Sequence, residues 1–309
     1  VNTTFWRVIA LPLFAALGYV ALVAIPERAI HPQPSELTAD PSSVGLAFED
    51  FVISPADQPL QLKGWVMPAS QPRAVLVFIH GGGSNRTSSF FGSLNFYRAM
   101  VGQGLSVVAI DLRNHGASGS DGRGLQFGRT EKFDARAAID WARRRYPGLP
   151  AFAMGISMGG ATLIQAAHDG AKLNGLILLD SVLDSRDTFK QGAWVQTGLP
   201  PAVFALSAWA ATAFHGLPSG GEQALQRATM LKLPILAMQD PGDPVARARY
   251  SRELAQRNHH VTLWLAPTID PAHPDLAFKE RWGTHVAAFQ FFPQDTVAQI
   301  IAFINAHSH

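Results

Sequence analysis

Ser157 stands in "AMGISMGG" (Ala153–Gly160), where an apolar run stops at a glycine and a helix-like run begins just beyond it. The order Gly155-Ile156-Ser157-Met158-Gly159 suits a nucleophile on a sharp strand-to-helix turn. In such a turn the two backbones nearly touch at the flanking positions, and only glycine fits there. The serine is held strained, with its hydroxyl projecting above the sheet edge. N–H groups at the start of the following helix point into the site and favour developing negative charge. A phosphate-cradling loop is the second reading, but it needs G-x-x-x-x-G-K-[ST], and no lysine follows these glycines. "GRGLQFG" (Gly122–Gly128) has the wrong spacing for a dinucleotide loop. An ordinary turn that contains a serine is the third reading.

A second stretch, "FIHGGGSN" (Phe78–Asn85), ends an apolar run at His80 and continues as bare glycines. An oxyanion hole needs two N–H donors near the developing charge. Met158, the residue after the serine, and Gly82 are the candidates.

These residues need a frame. From Ala47 the chain reads as strands and helices in alternation. "FEDFVI" (Phe48–Ile53) and "LQLKGWVMP" (Leu60–Pro68) alternate like a hairpin. Six short apolar runs follow: Ala74–Ile79, Ser106–Ile110, Ala151–Met154, Leu173–Leu179, Pro234–Met238 and Val261–Leu265. Continuous apolar runs fit strands buried on both faces of a parallel sheet. Helix-like segments between them imply right-handed crossovers and an open, doubly wound α/β sheet of eight strands, the first two antiparallel to the rest. Ligands of such sheets sit at the carboxyl ends of the strands. Ser157 and the triple glycine both fall there. The interval Ser181–Leu231 is too long for one crossover and holds the apolar "PPAVFALSAWAATAF" (Pro200–Phe214). It reads as an inserted helical cap over 181–231. Its Trp194, Phe204, Trp209 and Phe214 either line an acyl pocket or pack the cap onto the body.

The motifs "HGGGSN", "DLRNHGASG" (Asp111–Gly119) and "GISMGG" resemble those of the α/β-hydrolase superfamily of serine hydrolases, over about Ala47 to His307. The second resembles the superfamily's D-x-R-G-H-G-x-S loop, with Asn114 in place of a glycine. Asn tolerates positive φ better than most residues. That loop is mostly structural in the superfamily, so Asp111 and His115 carry no chemistry on this reading. Ile156 stands where hormone-sensitive-lipase-like enzymes have an acid. The resemblance therefore runs to the esterase, monoacylglycerol-lipase-like and serine-peptidase-like branch.

The resemblance implies an α/β-hydrolase fold and the order Ser…Asp…His. The acid should follow the seventh strand, in "MQDPGDPVARARY" (Met238–Tyr250). Asp243 fits best, although Asp243-Pro244 would also start a helix well. Asp240, Asp180 and Asp184 are the alternatives. The base should follow the eighth strand. His285 in "WGTHVAAF" (Trp282–Phe289) fits, with His273 as rival inside the long loop Ala266–Thr284. His307 and His309 read as a solvated tail. The implied activity is hydrolysis of a carboxylic ester through an acyl-enzyme on Ser157, with no cofactor. A thioesterase or peptidase would use the same groups, and a non-catalytic binding protein could share the fold.

Ahead of the catalytic region, Val8–Ile25 carries no charge and is long enough to span a bilayer. It reads as a signal anchor, a cleaved signal peptide or a helix packed on the domain, with Trp6 at an interface. The first two put the catalytic region outside the cytosol, on the periplasmic side of a bacterial membrane. The domain expectation is thus a hydrophobic segment over 1–30, a Pro/Ser-rich linker over 31–46, and a hydrolase domain over 47–309. The linker composition starts at Pro26 and reads as a tether without regular structure.

Composition narrows the rest. Of the 309 residues 47% are hydrophobic, ample for a core, so global disorder is excluded. The formal net charge is +2 and no basic run interleaves with aromatics, so nucleic acid is not an expected partner. With no cysteine there is no disulfide, thiol catalysis or Cys-ligated metal. No histidine has metal-ligand spacing with a partner carboxylate. The expected partners are a small acyl ester and, through the N-terminal segment, a membrane.

Overall fold

A computed structural model describes residues 3–33 and 35–308, with side chains from Leu11 onward. Trp6 and His309 therefore lie outside the described side chains. One sheet organises the molecule. Its strands are β1 (Glu49–Ile53), β2 (Leu62–Met67), β3 (Ala74–Ile79), β4 (Leu105–Ile110), β5 (Ala151–Ile156), β6 (Gly175–Leu179), β7 (Ile235–Gln239) and β8 (Val261–Leu265). They lie in the order β1-β2-β4-β3-β5-β6-β7-β8.

The eight strands fall where the apolar runs place them, but one direction differs. β2 is antiparallel to both of its neighbours, β1 and β4, while β3 to β8 are all parallel. β1 therefore points the same way as the central strands, and β2 alone runs against them. The hairpin reverses the chain once, and pairing β2 to β4 reverses it again.

Every residue of β3, β4, β5 and β6 is buried, because helices cover both faces. Ala135, Ala138 and Ile139 of the helix Lys132–Arg145 and Leu163 and Ile164 of the helix Met158–His168 fill one side. Phe96, Tyr97 and Met100 of Ser93–Gly102 and Ile300, Phe303 and Ile304 of Pro293–Ala306 fill the other. Opposed apolar cores hold the sheet rigid and leave its carboxyl edge to carry loops.

Between β6 and β7 the chain forms helices Ser185–Thr197, Ala205–Phe214 and Ala224–Ala228, with short 3-10 turns among them. Asp184 caps the first by accepting Asp187 N–H at 2.7 Å. Trp209 and Phe214 are 44% and 67% exposed and pack edge-on against each other. Phe204 is buried within these helices.

The N-terminal segment departs from the tether reading. Helix runs from Thr3 to Ile30, with a π-type stretch at Val20–Ala24. Pro26 does not stop it, because proline fits the opening of the last turn, Ile25–Ile30. Leu11, Leu13, Phe14 and Leu17 are exposed, whereas the far end lies on the helix Ala205–Phe214. His215 bonds the carbonyl of Leu22 at 3.0 Å and Glu27 at 2.9 Å. Leu125 N–H donates to Ile30 at 2.7 Å. A further 3-10 turn, Pro41–Val44, is capped by Asp40.

Candidate active site

Ser157 joins β5 to the helix Met158–His168 with φ 51° and ψ −120°, a strained conformation for a residue with a side chain. Sterics force it. A Cβ on Gly155 would lie 2.4 Å from the Gly159 carbonyl carbon, and one on Gly159 would lie 2.2 Å from Ile79 O. The turn is bolted to the end of β6: Ser157 N–H donates to Leu179 O at 3.0 Å, and Val182 N–H to Ser157 O at 3.1 Å.

Ser157 Oγ lies 3.0 Å from His285 Nε2, and His285 Nδ1 lies 2.7 Å from Asp243 Oδ2. The carboxylate accepts a hydrogen bond from Nδ1–H, which leaves Nε2 as acceptor toward the serine hydroxyl. Asp243 Oδ1 accepts the Val245 and Ala246 N–H groups at 2.7 and 2.9 Å. It thus caps a turn, not a helix, since the next helix opens only at Ala248. The rivals sit elsewhere. His273 is half-buried and accepts Asp275 N–H at 3.2 Å. Asp240 accepts Gly242 N–H at 2.7 Å, and Asp184 caps a helix.

Met158 opens its helix, so its N–H has no intrahelical acceptor. Gly81 and Gly82 lie beside it. A Cβ on Gly81 would be 3.2 Å from Ser157 Cβ, and one on Gly82 would be 3.3 Å from Met158 Sδ. Two buried histidines hold this loop. His80 Nδ1 bonds Gly81 O at 2.8 Å and its Nε2 accepts Leu112 N–H at 3.0 Å. His115 Nδ1 bonds Arg113 O at 2.7 Å and its Nε2 accepts Gly83 N–H at 3.0 Å. Burial lowers both, His80 to about 3, so each stays neutral and keeps one donor and one acceptor. Asn114 has φ 64°, and Asp111 holds Arg86 at 2.6 Å. The "DLRNHGASG" loop is thus a brace for the glycine loop.

Strain recurs beyond the serine. Asp180 has φ 43° and Val286 φ 49°, the latter rare for a β-branched residue. Asp180 Oδ2 accepts Val286 N–H at 2.9 Å, while Oδ1 accepts Asp240 N–H and Gln239 Nε2 at 2.8 and 2.9 Å. Burial pushes Asp180 well above the usual carboxylate range, with Asp243 adding to the effect. Asp180, Asp243 and His285 offer ligand atoms within 4.8 Å of one another, close enough to share a cation. The hydrogen bonds named above already occupy those atoms, so a cation would have to displace the His285–Asp243 contact.

A cavity of about 370 Å³ opens over Ser157. Phe189 and Ala193 of the helix Ser185–Thr197 form one wall, and Leu125 and Phe127 form another. Ala29, Pro32 and Ser35 close a third side. The supposed tether is thus part of the pocket. Asn85 Nδ2, in the glycine-loop motif, holds it by donating to Ser35 O and Glu36 O at 2.9 Å each. Trp194, Phe204, Trp209 and Phe214 are not among the lining residues.

A sequence profile of the family described as serine aminopeptidase, S33, matches residues 70–218. Human monoglyceride lipase is 28% identical over 164 residues, 52% of this chain and 52% of that one, so the chain spans about half the length of this curated relative. An esterase of Pyrococcus furiosus superposes with a TM-score of 0.72 at 20% identity, over 90% of this chain and 98% of that one. The chain has the α/β-hydrolase fold. The acylaminoacyl peptidase of Pyrococcus horikoshii shares the fold at a TM-score of 0.57 and 16% identity, over 85% of this chain and 42% of that one.

Within this α/β-hydrolase fold, sequence reasoning missed the site's outer parts. "GRGLQFG" is discarded as a dinucleotide loop yet supplies Leu125 and Phe127. Trp282 stacks on the His285 ring at 5.7 Å. Pro32 lies against the glycine loop, 3.4 Å from a Cβ built on Gly83. No periodicity marks such residues, because they reach the site only through tertiary contacts.

Proposed function

We propose that this α/β-hydrolase cleaves carboxylic esters through an acyl-enzyme on Ser157. The observation that carries the reading is the hydrogen-bonded line Ser157–His285–Asp243 beneath an apolar cavity. Ser157 Oγ attacks the carbonyl while His285 Nε2 takes its proton. Asp243 holds the imidazole's tautomer and stabilises the imidazolium. Met158 and Gly82 N–H groups hold the oxyanion. His285 returns the proton to the departing alcohol, and water then releases the acid by the same steps.

The pocket favours a neutral acyl group over a peptide amino terminus. An aminopeptidase must desolvate an α-ammonium and needs a carboxylate to receive it. Among the described residues, no Asp, Glu, Lys or Arg lines the cavity. The walls are Phe, Leu, Val, Ala and small polar residues, which suit an alkyl or aryl chain.

The same reading places the enzyme on a membrane. Leu11–Ile30 is apolar enough to span one by length and composition, with mean hydropathy 1.6 and only 11% of its most apolar window buried. Leu206, Trp209 and Phe214 expose apolar surface on the helix that packs against its far end. We assign the catalytic region to the side away from the cytosol.

A fluorophosphonate probe tests the nucleophile: the parent should be labelled and Ser157→Ala should not. Equal labelling of the two, or none on the parent, overturns it. Rates on a chain-length series of esters and matching amides test the substrate class, and faster amide cleavage would reverse the assignment. Release of the full chain by an alkaline wash would refute membrane insertion.

A further inference from the structure

Lys279 is a buried cation that the Ser157–His285–Asp243 chemistry does not use. It lies in the 3-10 stretch Pro274–Trp282 of the long loop before His285, and it is 1% exposed. Its Nζ donates to the carbonyl oxygen of His285 at 3.1 Å and sits 4.2 Å from the centre of the Phe90 ring. An ammonium has three donors. Burying it against one carbonyl and the rings of Phe90 and Phe278 costs more than burying a methionine of similar length. Burial accordingly lowers Lys279 to about 8, against the pull of Asp180, Asp243 and Asp240.

Those carboxylates give the charge a purpose. All three are buried, and burial raises Asp180 and Asp240. Asp243 and Asp240 approach the imidazole from the loop after β7, Asp180 from the end of β6, Ser157 from the end of β5, and Lys279 from the inserted loop. The histidine loop is also strained, with φ 50° at Glu280 and 49° at Val286. It needs anchors on both sides of the ring. Asp180 takes the Val286 N–H, and Lys279 takes the His285 carbonyl.

We propose that Lys279 is a positioning residue for the catalytic histidine: it ties the inserted loop to the His285 backbone and sets positive charge against the three carboxylates around the imidazole. The role rests on His285 being the base of the proposed ester hydrolysis. Without the ammonium, the His285 carbonyl loses its side-chain donor and the strained loop keeps only the Asp180 anchor beyond the ring.

The test compares the full chain in detergent with its Lys279→Met and Lys279→Arg variants. In Lys279→Met, kcat should fall about tenfold with KM within about twofold. The acid limb of kcat/KM should move up by about half a pH unit or more. Lys279→Arg should keep that limb in place. Stability should move the opposite way. The folded chain releases the Lys279 proton near 8, below the ordinary lysine value of 10.5, so the unfolded chain holds more protons between them and stability climbs with pH there. Lys279→Met removes that burden, so it should melt higher than the parent at pH 7, with the gain shrinking toward pH 10. A Met variant whose kcat is unchanged, or whose acid limb superimposes on the parent's, overturns the role and leaves a packing residue. An inactive parent overturns the ester-hydrolysis reading along with it.

Discussion

The Ser157 turn and the His285 loop face each other across the pocket, and both hold strained backbone. They are stabilised in opposite ways. At Ser157 the strain is locked by bare backbone: Gly155, Gly159 and the end of β3 press so closely that no side chain fits. At His285 the strain is held by side chains from afar, with Asp180 on Val286 and Lys279 on the His285 carbonyl. Gly283 in that loop has φ 51°, yet a Cβ there would come no nearer than 3.7 Å to Pro244. One loop is rigid by exclusion, the other by tethering. A sterically locked turn is written in consecutive residues, whereas a tethered loop is written in partners scattered along the chain.

The largest effect that could break this comparison is on the proposed base. His285→Ala should lower kcat by about 10⁴-fold or more, and His273→Ala should stay within about twofold. Steady-state rates on a short-chain ester separate them. A dead His273 variant would mean that the loop swings into another arrangement, and tethering would be the wrong description.

The next contrast is steric. Gly159→Ala must push into Ile79 O, so it should cost more than about 4 kcal/mol and give little folded protein. Gly283→Ala meets only the positive φ, so it should cost about 1–3 kcal/mol. Thermal melts of both, with soluble yield, show whether exclusion really divides the two loops. Equal losses would erase the distinction.

Asp180→Ala tests the tether. It leaves the Val286, Asp240 and Gln239 donors without their acceptor and should cost about 2–4 kcal/mol. A displaced His285 should lower kcat by up to about 10²-fold, more than it raises KM. Unchanged kcat in the folded variant would remove Asp180 from the description. The smallest effect belongs to the N-terminal wall. Ala29→Trp should narrow the cavity and cut the ratio of long-chain to short-chain ester rates by about tenfold. An unchanged ratio would return that segment to the status of a tether.

Much of this was legible in the sequence, and the reason is locality. Fully apolar runs mark buried strands because both faces of the sheet are covered. Gly-x-Ser-x-Gly marks the turn because its steric demand is met within five neighbouring residues. The chain order of Ser157, Asp243 and His285, read through the resemblance, named the three side chains that meet. Other features were not legible. The direction of β1 depends on β2 pairing with β4. The cap aromatics could face inward or outward with the same composition, and Trp209 and Phe214 face out. Ala29 and Pro32 look like linker residues until Asn85 and Leu125 bind the segment down.

By itself, then, the sequence determined the strands, the strained serine turn and the glycine loop beside it, because turn sterics and hydrophobic periodicity act between near neighbours. Only the tertiary structure decided what surrounds them: which histidine reaches Ser157 across a separation of 128 residues, that Lys279 and Asp180 hold its loop, and that the N-terminal segment walls the pocket. Those outcomes depend on contacts between distant parts of the chain, and no local pattern records which distant group a buried carbonyl or N–H will meet.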